Sequence, residues 1–291
     1  MRSLALTLLA LATLPPQAAR GAPTLPWFIS AKRAAKLAAS AQLLDARDKA
    51  LRARDALPGA TPVDWRTFSQ RGTHGGLLLS AAVLTRKLRA LGVRPEVAVL
   101  VLGDPRRGWG EAGRVVWMLR AAGHRRAAVV DGGVAALRRA GVRQLLERPA
   151  RERGNFRARA RLRYDASMAR VRRGLADGKT LFIDSREGRE YNGATPYGER
   201  RGGHLPGAKH LYYKRLLDPR GLLLSRAALR RRLAKLGATP ASTIISYCSG
   251  GVRSAWLTVA LQHAGFRKAL NYAGSMWQWA AQPAATYPLV R

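Results

Sequence analysis

Two stretches of this chain carry the same short words in the same order, and that internal repeat limits the fold more than any other feature. The first unit runs from about Leu25 to Leu146 and the second from about Tyr164 to Arg291. Leu43-Leu44-Asp45-Ala46-Arg47 is matched by Phe182-Ile183-Asp184-Ser185-Arg186, and Leu57-Pro58-Gly59-Ala60 by Leu205-Pro206-Gly207-Ala208. The β-rich run Val97–Leu102 is matched by Thr243–Tyr247, and Val129–Gly133 by Leu270–Gly274. Runs such as Thr180–Asp184 and Thr243–Tyr247 are short and apolar, as strands buried on both faces are. Helix-like stretches lie between them. Ser225 caps a predicted helix Ala227–Leu236 that Gly237 stops, and Ser254–Ala264 is a second one, closed by Gly265. Leu211–Leu216 reads as helical or irregular. The first unit predicts strands near Ala41–Asp45, Val97–Leu102 and Ala127–Val130, with helices at Ala81–Leu91 and Glu111–Ala122. Strands interleaved with helices at this spacing imply an α/β fold: in each unit, a mostly parallel sheet with helices on both faces.

The ends and the joint of the repeat set the expected domain limits. Arg2, the apolar run Leu4–Leu14, the break at Pro15-Pro16 and the small-residue site Ala19-Arg20-Gly21 read as a secretory signal peptide over residues 1–21. The run is too short to span a bilayer, and no later stretch is apolar enough to do so. A first domain over 22–150 and a second over 151–291 follow, joined through the arginine-rich segment Glu147–Arg163, which reads as an exposed connector, free or packed along the domain seam. Periplasmic or secreted location is the corresponding expectation.

With 52 Lys and Arg against 17 Asp and Glu, the formal charge is +35, a field that attracts anions of every kind. The basic residues are spread over the whole chain beside alanine and leucine, and no zinc-finger, KH or RRM signature accompanies them. They read as solvated faces that help gather small anions, with no specific nucleic-acid partner.

The chain has one cysteine, Cys248, so an internal disulfide is impossible and a reactive thiol is expected. Cys248 directly follows a predicted buried strand and opens the loop Cys248-Ser249-Gly250-Gly251-Val252-Arg253 before a helix. Ligands of open α/β sheets bind at the carboxyl ends of strands. Glycines let such a loop curl its N–H groups inward, and the helix start adds more of them. This nest favours a thiolate, a persulfide or a bound oxyanion, and Arg253 supplies a positive charge near its rim. The cysteine-to-arginine spacing is one residue shorter than in phosphatase cradles of similar shape, so the loop suits a single sulfur atom better than phosphate or arsenate. Phosphatase or arsenate-reductase chemistry stays open as the alternative reaction, and a non-catalytic, exported anion- or partner-binding module as the alternative role.

The motifs together resemble the tandem rhodanese family, which includes thiosulfate and 3-mercaptopyruvate sulfurtransferases. The resemblance rests on Asp184-Ser185-Arg186 with Glu190-Tyr191-Asn192-Gly193, on Gly203-His204-Leu205-Pro206-Gly207-Ala208, on the six-residue loop Cys248–Arg253, and on Tyr272-Ala273-Gly274-Ser275-Met276-Trp277-Gln278-Trp279. It implies two rhodanese-like domains side by side, with Cys248 facing the cleft between them and carrying sulfur as a persulfide. Ser249, Gly250, Gly251, Val252 and Arg253 would form the cradle. The implied partners are a small anionic sulfur donor and an acceptor such as a thiol, cyanide or a protein; no cofactor or metal is implied, and a monomer without integral membrane association is expected. Met276 and Gln278 depart from the family's usual Trp and Glu in the closing motif, a change expected to touch no chemistry. The first unit carries Asp104 where the cysteine stands and Ala56 in place of the motif histidine, and is expected to be inactive. The family anchors the mercaptopyruvate carboxylate with arginines between the first-strand motif and Gly-His. Arg189 and Arg200 lie there, and Arg201 could also reach the cleft. Neutral Ser249 and Gly250 beside the cysteine favour a mercaptopyruvate-like donor slightly over thiosulfate.

Overall fold

A computed structural model describes residues 23–72, 75–144, 152–160 and 162–291. The expected signal peptide over 1–21 lies outside the described residues, as does part of the connector. In chain order the elements of the first unit are β1 (Phe28–Ile29), α1 (Ala31–Leu37), β2 (Gln42–Asp45), α2 (Lys49–Arg54), β3 (Thr61–Pro62), α3 (Ala81–Ala90), β4 (Val99–Leu102), α4 (Glu111–Ala121), β5 (Ala127–Val130) and α5 (Gly133–Arg139). The second unit follows with α6 (Met168–Asp177), β6 (Thr180–Asp184), α7 (Gly188–Tyr191), β7 (Lys209–His210), α8 (Arg226–Ala234), β8 (Thr243–Tyr247), α9 (Val252–Ala264), β9 (Ala269–Asn271) and α10 (Ser275–Trp279). The segment expected to be helical or irregular is a short 3-10 turn, Tyr213–Leu216.

The strands form two sheets, ordered β1-β5-β4-β2-β3 and β7-β6-β8-β9, and every pairing of named strands is parallel. Period-two alternation divides each strand between two apolar cores. Val99 and Val101 of β4 enter a central core, whereas Leu100 and Leu102 enter an outer one under α1 and α5. Likewise Ile183 and Ile244 face the centre, while Phe182, Ile245 and Tyr247 face a second outer core. The central core is one continuous cluster shared by both units, so their seam is packed like a domain interior. Helices α4 and α9 cross at its middle. All of α4 is buried, and a Cβ on Gly113 would stand 2.6 Å from the Cα of Trp256, so only glycine permits this approach.

Caps act where the sequence places them. The Ser225 hydroxyl accepts from the N–H of Ala228, and Gly265 closes α9 at φ +102°. Two expectations change, and one strand has no counterpart in the sequence reading. Strand β1 has two residues, too few to show periodicity, and is recognised only through its pairing with β5. Helix α9 begins at Val252 instead of Ser254, because Gly251 takes the left-handed conformation (φ +76°) that starts it directly. The described part of the connector is no exposed linker: Gly154, Phe156 and Ala158 are buried in alternation with exposed Asn155, Arg157 and Arg159. Its backbone N–H groups at 154, 156 and 159 bond to the carbonyls of Arg89, Val93 and Ala122, tying it to the first unit. An Arg-rich segment whose burial alternates hides its apolar side from a composition count.

Candidate active site

The loop 248–251 leaves the carboxyl end of β8 and turns at once into α9. Cys248 is 1 % exposed, at the seam of the two units. Its Sγ accepts a hydrogen bond from the N–H of Gly251 at 3.1 Å and from the Ser254 hydroxyl at 3.5 Å. Burial alone pushes the thiol up. The Arg253 charge, the Ser254 hydroxyl and the backbone N–H groups of Ser254 and Arg253 outweigh it, and the thiol lies below its ordinary value. The site therefore favours a sulfur anion while excluding water.

The cradle is held from behind. The Cys248 N–H donates to Ser275 Oγ at 3.1 Å, and the carbonyls of Cys248 and Ser249 accept from the N–H groups of Met276 (3.0 Å) and Trp277 (2.9 Å). The closing motif thus supports the cradle, and none of these bonds is made by the side chain of Met276 or Gln278, the two departures from the family pattern. Position 276 acts through its backbone N–H, which is why methionine can stand where the family has tryptophan. The Trp277 ring lies so close over Gly250 that a Cβ there would meet it at 2.1 Å.

Arg253 is the main correction. Its place in the first turn of α9 buries it, and it is no free charge at a rim. Its Nη1 and Nη2 donate to Glu190 Oε2 and Oε1 at 2.6 and 2.7 Å, and Nη2 also donates to Ser249 Oγ at 2.8 Å. Ser249 Oγ in turn donates to Glu190 Oε1 at 2.9 Å. The guanidinium lies 5.3 Å from the ring centroids of both Trp109 and Tyr197, which meet edge to face. Burial would lower the Arg253 value, but the bonds to Glu190 and the charges of Cys248 and Glu190 raise it above the ordinary one. A bidentate, stacked arginine of this kind orients the loop and is not available to clamp a substrate. Glu190, quoted in sequence only as part of a motif, is fully buried and was missed as a site residue, as were Ser254, Ser275 and Trp109. Ser254 directly follows the loop in the first turn of α9, whereas Glu190, Ser275 and Trp109 come from three other parts of the chain and no spacing rule links them to Cys248.

The remaining arginines divide. Arg189 is exposed and donates to Glu187 Oε2 at 2.8 Å, with Tyr197 Oη at 3.5 Å. Arg200 is exposed on a cavity of about 740 Å³ between the units, lined also by Arg66, Arg71, Tyr197 and Trp277. Arg201 does not reach the cleft. It donates to the carbonyls of Trp279, Ala280, Gln282 and Tyr287 and pins the C-terminal segment. In the first unit Asp104 accepts from the N–H groups of Arg106 and Arg107 and from Arg107 Nε, so it closes its own loop where Cys248 would stand.

A family model for the rhodanese-like domain matches residues 167–282. A thiosulfate sulfurtransferase of Pseudomonas aeruginosa is 31 % identical over 244 residues, spanning 83 % of this chain and 88 % of that protein. A probable 3-mercaptopyruvate sulfurtransferase of the same organism is 30 % identical over 207 residues, 69 % of this chain and 71 % of the relative. Among solved structures, a 3-mercaptopyruvate sulfurtransferase from Leishmania major superposes with a TM-score of 0.75 at 21 % identity, covering 88 % of this chain and 74 % of the other. A 3-mercaptopyruvate sulfotransferase from Escherichia coli gives 0.72 at 23 % identity, covering 86 % and 99 %.

Proposed function

The chain belongs to the rhodanese family, and from that membership we propose that it is a sulfurtransferase that moves sulfur from an anionic donor to a thiophilic acceptor through a persulfide on Cys248. The observation that carries this reading is the chain's one thiol, buried at a strand end and facing inward-turned N–H groups and a hydroxyl. The Cys248 thiolate attacks the sulfur of the donor. With thiosulfate the S–S bond breaks and sulfite leaves with its electron pair. With 3-mercaptopyruvate the C–S bond breaks, the pair stays on carbon, and the enolate takes a proton to become pyruvate. Either way Cys248 carries one more sulfur, and the cradle's N–H groups stabilise its negative charge as an oxyanion hole would. An acceptor thiolate or cyanide then attacks the outer sulfur and returns the Cys248 thiolate. Mass spectrometry of protein incubated with donor is expected to show one added sulfur on the Cys248 peptide, removed by cyanide. No adduct with thiosulfate, mercaptopyruvate or polysulfide overturns the reading.

The donor's charged group is read as lying back from the sulfur. Ser249 and Gly250 are neutral and Arg253 is engaged by Glu190, while Arg200 is exposed on the cavity whose Trp277 wall packs on Gly250. This supports a mercaptopyruvate-like donor whose carboxylate meets Arg200, with Arg189 adding positive charge beside Tyr197. Arg200→Ala is expected to reduce kcat/KM for mercaptopyruvate at least about tenfold, or roughly 1.4 kcal/mol of transition-state binding. Steady-state kinetics with both donors checks it, and a higher, mutation-insensitive kcat/KM for thiosulfate reverses the donor preference.

The same reading includes export. Arg2, the apolar run to Leu14 and the small-residue site around Arg20 support removal of a leader, so N-terminal sequencing of native protein is expected to begin near Ala22. A native product retaining Met1 overturns it.

A further inference from the structure

Arg114 lies in α4 of the first unit, yet its guanidinium bridges both units at the cradle. Nη1 donates across the seam to the carbonyl of Gly251 at 3.2 Å. Nη2 donates to Ser69 Oγ at 3.1 Å and to the carbonyl of Gly76, both in the first unit. The rings of Trp117 and Trp65 flank it at 4.6 and 5.5 Å, so its plane is fixed. Asn271 Nδ2 also donates to the Gly251 carbonyl, at 3.3 Å. Gly251 is the residue whose own N–H meets Cys248 Sγ, and it caps α9, whose first-turn N–H groups at Arg253 and Ser254 also face the sulfur. Its left-handed backbone is therefore held at both ends: the nitrogen on the sulfur, the oxygen on Arg114. The Gly76 segment comes equally close, since a Cβ on Gly76 would stand 2.8 Å from the Gly250 carbonyl and 1.9 Å from that of Ala273.

We propose that Arg114 is a positioning residue for sulfur transfer, delivered by the unit that carries no nucleophile: by holding the Gly251 carbonyl it sets the N–H groups that stabilise the sulfur anion on Cys248. The proposal rests on the persulfide reading above and adds a task for the first unit beyond packing. Among the described residues no carboxylate forms an ion pair with Arg114; the charges it faces are those of half-buried Asp165 and of the Cys248 sulfur itself. The other groups facing Cys248 are Arg253, backed by Glu190, and the Tyr213 hydroxyl from the turn after β7. Those are untouched by a change at Arg114.

The test compares Arg114→Met and Arg114→Lys with wild type in two assays. One is the pH dependence of Cys248 alkylation by iodoacetamide, which needs no sulfur donor. The other is kcat and KM with mercaptopyruvate and thiosulfate. Arg114→Met is expected to raise the alkylation midpoint by about one pH unit and to lower kcat about tenfold, with KM within about twofold. Arg114→Lys keeps the charge but cannot span both carbonyls. It is expected to recover most of the midpoint while kcat stays several-fold low. A folded Met variant with the wild-type midpoint and kcat overturns the proposal. If the Met variant does not fold, a Lys variant equal to wild type in kcat overturns it instead. Failure of wild type itself to transfer sulfur strikes the reading of the reaction, whereas the alkylation profile still tests the role of Arg114.

Discussion

Cys248→Ala is expected to lose sulfur transfer to every donor by about 10⁴-fold or more, down to the uncatalysed background. The size of the loss follows from the chain itself. It contains no second cysteine, and the equivalent position in the first unit is Asp104, whose oxygens are occupied by its own loop. No neighbouring group can hold a transferable sulfur in its place. Structure should survive. The alanine leaves the N–H of Gly251 without its sulfur partner, a cost of about 1–3 kcal/mol, which the shared central core absorbs, while the Ser254 hydroxyl keeps its 2.7 Å bond to Asn271 Oδ1. Circular dichroism and a donor-dependent sulfite or pyruvate assay on the same preparation check both halves. A folded alanine variant that still turns over would remove Cys248 from the reaction.

Glu190→Ala is expected to be the most damaging substitution for stability around the site. Glu190 and Arg253 are both buried, and the carboxylate takes two guanidinium bonds, a Ser249 hydroxyl and the N–H of Glu187. Removing one member of a buried pair leaves the other charge uncompensated, which costs about 3–5 kcal/mol. For a chain of this size that corresponds to a fall in Tm on the order of 10 °C. The effect depends on pH with a definite sign. Burial alone would raise the Glu190 carboxyl, but Arg253's hydrogen bonds and charge outweigh it and hold the folded value below the ordinary carboxylate range. Its contribution is therefore present above the unfolded value, about 4.3, and is lost as pH falls through the folded one. The gap in Tm between wild type and Glu190→Gln should be widest at neutral pH and narrow on acidification below about pH 4. A gap that stays constant, or widens in acid, would mean that the pair does not stabilise the fold through its charge.

Strands β6 and β8 run over the residues read from their apolar runs, and the caps at Ser225 and Gly265 act as read. Those features depend on neighbours a few positions away, so a single sequence carries them. Cys248 was legible for the same reason: strand, cysteine, two glycines and helix are consecutive, and that order by itself aims N–H groups at a sulfur. Two-residue β1, the buried side of the connector and the early start of α9 were not, since each is decided by a partner distant in sequence or by one glycine torsion.

Charge was the poorest guide. An excess of 52 basic over 17 acidic residues reads as solvated surface, yet Arg47, Arg114, Arg120, Arg186 and Arg253 are buried. Each donates to a carboxylate or backbone carbonyl beyond its own turn, at Asp55, Gly251, Leu25, Gly203 and Glu190 respectively. Whether an arginine is a free cation or a clamp depends on what the fold brings within about 3 Å of it. For Arg253 that is Glu190, 63 positions away, and for Arg114 it is Gly251, 137 positions away across the seam. The sequence alone determined the repeated α/β unit and the sulfur nucleophile, because both are written in contiguous residues. Only the tertiary structure decided which charges the nucleophile experiences, because those pairings are made by strand order and by the packing of α4 against α9.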